Sequence, residues 1–259
     1  MKRGSLSVVG TGHRIAGQVT LESQALIRHA DRLFFLVDDD LTALWLRGLN
    51  PAAESLRRFY VRGRSGLTAS HAMVERILSA VRRGLDVCAA FSGHPGVYVR
   101  PASEAVLRAR SEGFHAAMYP GISAVDCLYA DLGVDPATHG CSIFEATDFL
   151  VCRRKFDPRS SLVLLQAGTI GVTQYVTRSV SRANRLRVLA RVLQRSFPSC
   201  HEVIVYDSVA LPPFAPFVQR TTLAHLPDAR VNFLSTLFIP PRGGTPPKGL
   251  NINACVERR

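Results

Sequence analysis

Short apolar runs alternate with longer runs of helical spacing through the first half of the chain. Leu6–Val9, apolar but for Ser7, predicts a buried strand and ends in Gly10-Thr11-Gly12. Leu21–Ala30 has apolar residues at positions 21, 25, 26 and 30, which is one face of a helix. Leu33–Val37 is continuously apolar and is closed by Asp38-Asp39-Asp40. Ser70–Arg83 carries apolar residues at 73, 74, 77, 78 and 81 and is followed by Gly84, a helix with a glycine C-cap. Val87–Phe91 predicts a third strand, followed by Ser92-Gly93-His94-Pro95-Gly96. Ala102–Ser111 predicts a helix stopped by Gly113. His115–Met118 leads into Tyr119-Pro120-Gly121-Ile122-Ser123, and Ala124–Leu132 predicts a further helix.

Strand, loop and helix repeated in this way mark an α/β domain with a largely parallel sheet. Ligands of such sheets sit beyond the carboxyl ends of the strands. The glycine-rich segments at 10–12, 93–96 and 121–123 all follow strands, so they are expected to converge on one edge. The second half reads differently. Leu162–Gln166, Glu202–Tyr206 and Phe233–Ile239 predict strands and Arg185–Gln194 a helix, while Leu211–Pro216 and Pro240–Pro247 break the pattern. A boundary near Thr138–Thr147 is expected. It divides the chain into an N-terminal α/β subdomain (1–140), a smaller C-terminal one with a mixed sheet (141–241) and a loose tail (242–259).

Composition sharpens this picture. The 259 residues are 47% hydrophobic, enough for one or two packed units and incompatible with global disorder. No run approaches the roughly 18 apolar residues of a membrane span. The basic pair Lys2-Arg3 leads into no apolar signal region. A soluble cytoplasmic protein with no membrane partner is expected. Net charge is +12, yet of the basic residues only Lys2, Lys155 and Lys248 are lysine. The arginines are scattered rather than interleaved with aromatic residues, so a solvated basic surface is favoured over a nucleic-acid platform. Attraction to an acidic substrate segment stays open. The six cysteines form no CxxC pair and no zinc-ligand spacing, which predicts reduced thiols and no metal.

Gly10-Thr11-Gly12 lacks the third glycine of a dinucleotide fingerprint, since position 15 is Ile15. Gly93-His94-Pro95-Gly96 is a rigid turn able to hold a ligand by main-chain groups. Ser123 fits a helix N-cap.

Together, Val8-Val9-Gly10-Thr11-Gly12, Gly93-His94-Pro95-Gly96-Val97 and Pro120-Gly121-Ile122-Ser123-Ala124 resemble the tetrapyrrole (corrin/porphyrin) methylase superfamily, whose middle loop usually reads GDPxxY. The sequence is closer to the borosin peptide backbone α-N-methyltransferases through Gly93–Val99, Met118–Pro136, Phe144–Leu150 and Ser235–Pro241. The resemblance covers about residues 5–241. It implies a class III methyltransferase fold of two α/β domains, with S-adenosylmethionine (SAM) in the cleft between them. It further implies a homodimer and a ribosomal precursor peptide as substrate. Because Gly243–Arg259 offers no long apolar core segment, the split arrangement with a separately encoded peptide is expected. Matched by position, the cofactor contacts are His94, Val97, Tyr98, Ser123, Ala124, Gln166, Ser235 and Thr236.

The resemblance places an arginine and tyrosine cluster between the second strand and the next helix, where an imidate-like oxygen must be stabilised and an amide proton removed. This chain keeps Tyr60. The other tyrosine positions fall on Arg57 and Ser70, and the arginine position on Gly66; Ser92 replaces an aromatic residue. Three readings stand open. Arg62 or Arg64 supplies the cation, with Tyr60 or His71 as base; or the chain methylates an easier nucleophile; or it is a catalytically degenerate SAM-binding homologue that partners or regulates an enzyme.

Overall fold

The computed structural model describes residues 4–61, 65–172, 182–211 and 214–243. Arg62 and Arg64 therefore lie outside the described residues, as do those of the tail from 244 onward.

In the first half, β1 (Ser5–Gly10), β2 (Arg32–Leu36), β3 (Ala53–Ser55), β4 (Asp86–Phe91) and β5 (His115–Met118) form one sheet in the order β3-β2-β4-β1-β5. All its pairings are parallel. Four helices connect the strands: α1 (Leu21–His29), α2 (Asp40–Leu49), α3 (Gly66–Arg82) and α4 (Arg100–Ser111). Alternate strand residues point to opposite faces, and both faces are apolar. Leu6, Val8, Phe34, Val87, Ala89 and Phe91 pack with α3 and α4. Val9, Leu33, Phe35, Cys88 and Ala90 pack with Ile27 of α1 and Leu46 of α2. Each large side chain buried there contributes about 1.5–3 kcal/mol.

The strand order fixes where a ligand can sit. β1 is continued by α1, which lies over β4, whereas β4 is continued by α4, which lies over β1. The neighbouring strands β1 and β4 thus send their chains in opposite directions. The carboxyl ends of two such strands are the usual ligand position in open α/β sheets.

The remaining elements are α5 (Ala124–Leu132), α6 (Pro136–His139), β6 (Cys141–Glu145), α7 (Ala146–Val151), β7 (Ser161–Leu165), α8 (Arg182–Leu193), β8 (Glu202–Asp207), β9 (Phe217–Thr222) and β10 (Thr236–Ile239). The strands form a second sheet, β6-β7-β10-β8-β9. It is mixed: β6 runs parallel to β7, and β10 antiparallel to β7 and β8. It holds as many strands as the first sheet. Phe144, Phe149, Phe156, Phe197 and His201 form a chain of ring contacts, the first two tilted and the last two stacked, with successive centroids 4.4–5.8 Å apart.

Two compact units divide the chain. The first holds the chain up to Leu132 together with Asp207–Phe217. The second holds Gly133–Ile170, Ser181–Tyr206 and the chain from Val218.

Three local expectations need correction. The last strand starts at Thr236, not Phe233, because Asn232 folds residues 232–235 into a turn. Its carbonyl accepts from the Ser235 N–H (3.3 Å) and its side chain accepts from the Leu234 N–H (2.7 Å). Ser235 is therefore buried in a turn rather than in the strand. Gln166 lies just past β7 in the left-handed region, at φ 58°. Helix α3 starts at Gly66, four residues early, because the Ser65 hydroxyl accepts from the Thr68 N–H (3.1 Å) and caps it.

Candidate active site

Three strand-end turns of the first unit meet at three glycines. Gly12 and Gly93 exchange backbone hydrogen bonds in both directions, at 3.2 and 2.9 Å. A Cβ on Gly10 would stand 2.3 Å from the Gly93 carbonyl oxygen and 2.9 Å from the Gly121 Cα. A Cβ on Gly121 would stand 2.6 Å from that same oxygen. Only glycine permits this approach of the turns after β1, β4 and β5. The convergence expected from their positions after strands is thus present.

The turn after β4 is braced from within. The His94 carbonyl accepts from the Val97 N–H (3.0 Å), and its ring Nδ1 accepts from the Gly96 N–H (2.9 Å). That bond requires an unprotonated Nδ1, so the neutral ring carries its proton on Nε2. Tyr98 follows at φ 57°, and its side chain is 46% exposed. A non-glycine residue in the left-handed region is strained, and such strain gathers at functional sites. Gln166 shares this conformation in the second unit.

The turn after β5 is closed by a reciprocal cap. The Asp126 carboxylate accepts from the Ser123 N–H and from its hydroxyl, both at 2.7 Å. The Ser123 oxygen accepts from the Asp126 N–H at 3.3 Å. This is the capping-box arrangement, with aspartate as the acidic member. It starts α5 at Ala124, which is half-buried behind the buried Ser123.

A histidine that the sequence reading passed over belongs to the same cluster. His13 follows Gly12, and its Nε2 lies where a Cβ on Gly93 would come within 2.9 Å. Gln18 holds its loop, accepting from the His13 and Arg14 N–H groups at 2.7 and 3.0 Å. The Gln18 amide nitrogen in turn approaches the Cys127 Sγ at 3.3 Å. Burial pushes the His13 imidazole below its ordinary value, against the opposing charges of Asp38 and Asp126. No sequence motif marks His13. Its neighbours come from residues 38, 93 and 126, which only the fold brings near.

The residues expected to carry chemistry follow β3, a strand that runs parallel to β2. Tyr60 ends the 3₁₀ turn Leu56–Phe59, and its N–H donates to the Arg57 carbonyl (3.1 Å); the residue is 39% exposed. Glu54 of β3 gathers Arg32, Arg58 and Arg76 within 2.5–2.7 Å. Burial alone would raise the Glu54 carboxyl. The hydrogen bonds from Arg76 and Arg32, with the charges of Arg76 and Arg58, overcome it and hold the carboxyl at about 2. His71 sits exposed on α3 with its Nε2 3.7 Å from Glu104 of α4. Gly66 and Ser70 occupy the first turns of α3, and the buried Ser70 hydroxyl has no partner.

In the second unit, the turn after β7 fits against the Asn232 turn. A Cβ on Gly168 would stand 1.8 Å from the Asn232 carbonyl oxygen, and the Ala167 N–H donates to the Ser235 carbonyl (2.9 Å). Gln166, Ser235 and Thr236 are thereby brought together. Thr236 is buried and pairs with Tyr206.

Residues 5–227 match the family described as Tetrapyrrole (Corrin/Porphyrin) Methylases, and the chain belongs to that family. Its fold is shared with solved members. Uroporphyrin-III-C-methyltransferase from Thermus thermophilus superposes with a TM-score of 0.65 at 20% identity, over 92% of each chain. Cobalt precorrin-4 methyltransferase gives 0.63 at 16% identity, over 91% of this chain and 94% of that one. Within the family the chain is similar to borosin proteins. It is 38% identical to the methyltransferase/ribosomally synthesized cyclic peptide omphalotin A precursor of Omphalotus olearius, over 93% of this chain and 58% of that one. It is also 38% identical to the corresponding gymnopeptides precursor of Gymnopus fusipes, over 92% of this chain and 58% of the other. The lentinulin A precursor of Lentinula edodes matches at 38% over 99% of this chain and 61% of its own. The chain thus spans about three-fifths of the length of these relatives. Among the described residues, no helix is long and apolar enough to cross a membrane.

Proposed function

We propose that this chain is a SAM-dependent methyltransferase acting on backbone amide nitrogens of a ribosomally made peptide. The convergence of Gly10, Gly93 and Gly121 at the carboxyl ends of β1, β4 and β5 carries the reading. The absence of Cβ atoms there lets the three turns close on one another and gathers their main-chain groups at one edge. The carboxylates of Asp38 and Asp126 near His13 suit a cationic donor. We assign the cofactor contacts to His94, Val97 and Tyr98 after β4 and to Ser123 and Ala124 after β5. The contribution of Gln166, Ser235 and Thr236 rests on the family resemblance alone.

Bound SAM would supply an electrophilic methyl group on a sulfonium. The chain's own residues must do the rest. A peptide nitrogen shares its lone pair with the carbonyl, so it needs precise positioning and loss of its proton. Tyr60, on the half-exposed end of its 3₁₀ turn, is the side chain we assign to that proton. Arg62 or Arg64 would supply the cation for the developing oxygen charge, with His71 as the alternative base.

The relatives are named as fusions of methyltransferase and precursor. The finer reading here is a separate precursor peptide and a homodimeric enzyme in the cytoplasm. Co-expression with a candidate peptide tests it. Mass increments of one CH2 each on the peptide, stable to alkaline ester cleavage, are expected. Tyr60→Phe should remove them while leaving cofactor affinity intact.

Gly66, Ser70 and Arg57 at positions of the family's catalytic cluster favour one second reading. In it, the chain binds SAM as a partner or regulator, or methylates another small-molecule nucleophile. SAM binding with no transfer to any co-expressed peptide would select it.

A further inference from the structure

The β1 turn brings one imidazole to the edge where the cofactor is proposed to bind, and that group has no role in the transfer described above. His13 lies against the Gly93 backbone, with its loop locked by Gln18. It is partly accessible, so it can report to a ligand on that edge. The acidic groups acting on it are Asp38, after β2, and Asp126, on α5. Asp126 is fixed by the Ser123 cap, and the Asp38 N–H is held by the Ser92 hydroxyl (3.2 Å). Arg14, the next residue, acts on the Cys127 thiol, and the His94 ring is turned to the Gly96 N–H. His13 thus meets the charges of two carboxylates at this edge, while burial holds its imidazole below the ordinary histidine value, so it gains charge only as pH falls.

We propose that His13 sets the preference of the site for the charged donor over its neutral product. With His13 neutral, Asp38 and Asp126 favour the sulfonium of SAM. With His13 protonated, its charge offsets theirs and opposes the sulfonium, while S-adenosylhomocysteine (SAH), which lacks that charge, is little affected. The inference rests on the cofactor reading above. It goes further by making donor-over-product selectivity a function of one residue and of pH.

Calorimetric titration of the full chain with SAM and with SAH, from about pH 7.5 to about pH 5, reads this directly. The ratio of the two dissociation constants cancels effects on the shared adenosyl and amino-acid groups. In the wild type, SAM should lose about three- to tenfold relative to SAH as pH falls. In His13→Gln the ratio should stay flat, and in Asp38→Asn SAM should weaken relative to SAH at neutral pH. Because a variant can misfold, imidazole NMR of the wild type is the second measurement. By reciprocity, bound SAM should depress the His13 titration below its position with bound SAH by the same factor. A pH-independent ratio in the wild type, an unchanged slope in a folded His13→Gln, or identical His13 titrations with both ligands overturns the proposal and leaves the cofactor reading standing. Failure of both ligands to bind at every pH overturns both.

Discussion

Replacing Glu54 by Gln isolates the charge at the centre of the arginine cage that ties down the turn before Tyr60. The Glu54 side chain is only 12% exposed and accepts from Arg32, Arg58 and Arg76. Its carboxyl is held at about 2 against an ordinary value of 4.5. At about 1.4 kcal/mol per unit, that difference is worth about 3 kcal/mol, and about 2–3 after allowing for partial exposure of the arginines. Glutamine keeps the shape and removes the charge, so Glu54→Gln approximates the protonated acid. The sign follows from the depressed value. The stabilisation is complete above the unfolded-state value of 4.5 and is lost as pH falls through about 2. By about pH 3.5, roughly two-fifths of it should be gone. Urea unfolding of both proteins at neutral pH should therefore show the variant about 2–3 kcal/mol less stable, with a gap that narrows toward acid. A gap below about 0.5 kcal/mol at neutral pH, or one that does not narrow, would refute the assignment of Glu54 as a charged anchor for β2, α3 and the Tyr60 turn.

The other expectations are simpler to state. Gly10→Ala should cost about 1–3 kcal/mol and weaken SAH binding, because its methyl meets the Gly93 carbonyl. Gly48→Ala, in the last turn of α2 with nothing within 4 Å, should instead raise stability by up to about 0.5 kcal/mol. Thermal unfolding of the pair measures both signs. Alkylation of the native protein followed by peptide mass mapping should label Cys200 and spare Cys88, whose thiol is fully buried and pushed well above its usual range. Tyr60→Phe should leave SAH affinity unchanged in calorimetry while stopping peptide methylation.

Much of the first unit could be read from the order of residues alone. Its strands are buried on both faces and so appear as near-continuous apolar runs, and its glycine turns follow them directly. Helix α2 escaped this reading because Leu41 and Leu44 point to solvent and blur its apolar period. β3 escaped it because its three residues include Glu54, whose partners lie on three other elements. The glycine turns of the candidate site were legible because the backbone demands glycine there. His13 was not, since its meaning comes from Asp38, Gly93 and Asp126, which lie far from it in sequence. The early start of α3 was set by one hydroxyl, that of Ser65, against the weaker apolar pattern that follows.

The central claim is that the turns after β1, β4 and β5 together hold the methyl donor. Amide hydrogen exchange with and without SAH tests it most directly. Saturable protection confined mainly to residues 10–13, 93–98 and 121–126 is the expected result. The absence of any ligand-dependent protection, or protection that bypasses these three segments, would contradict it.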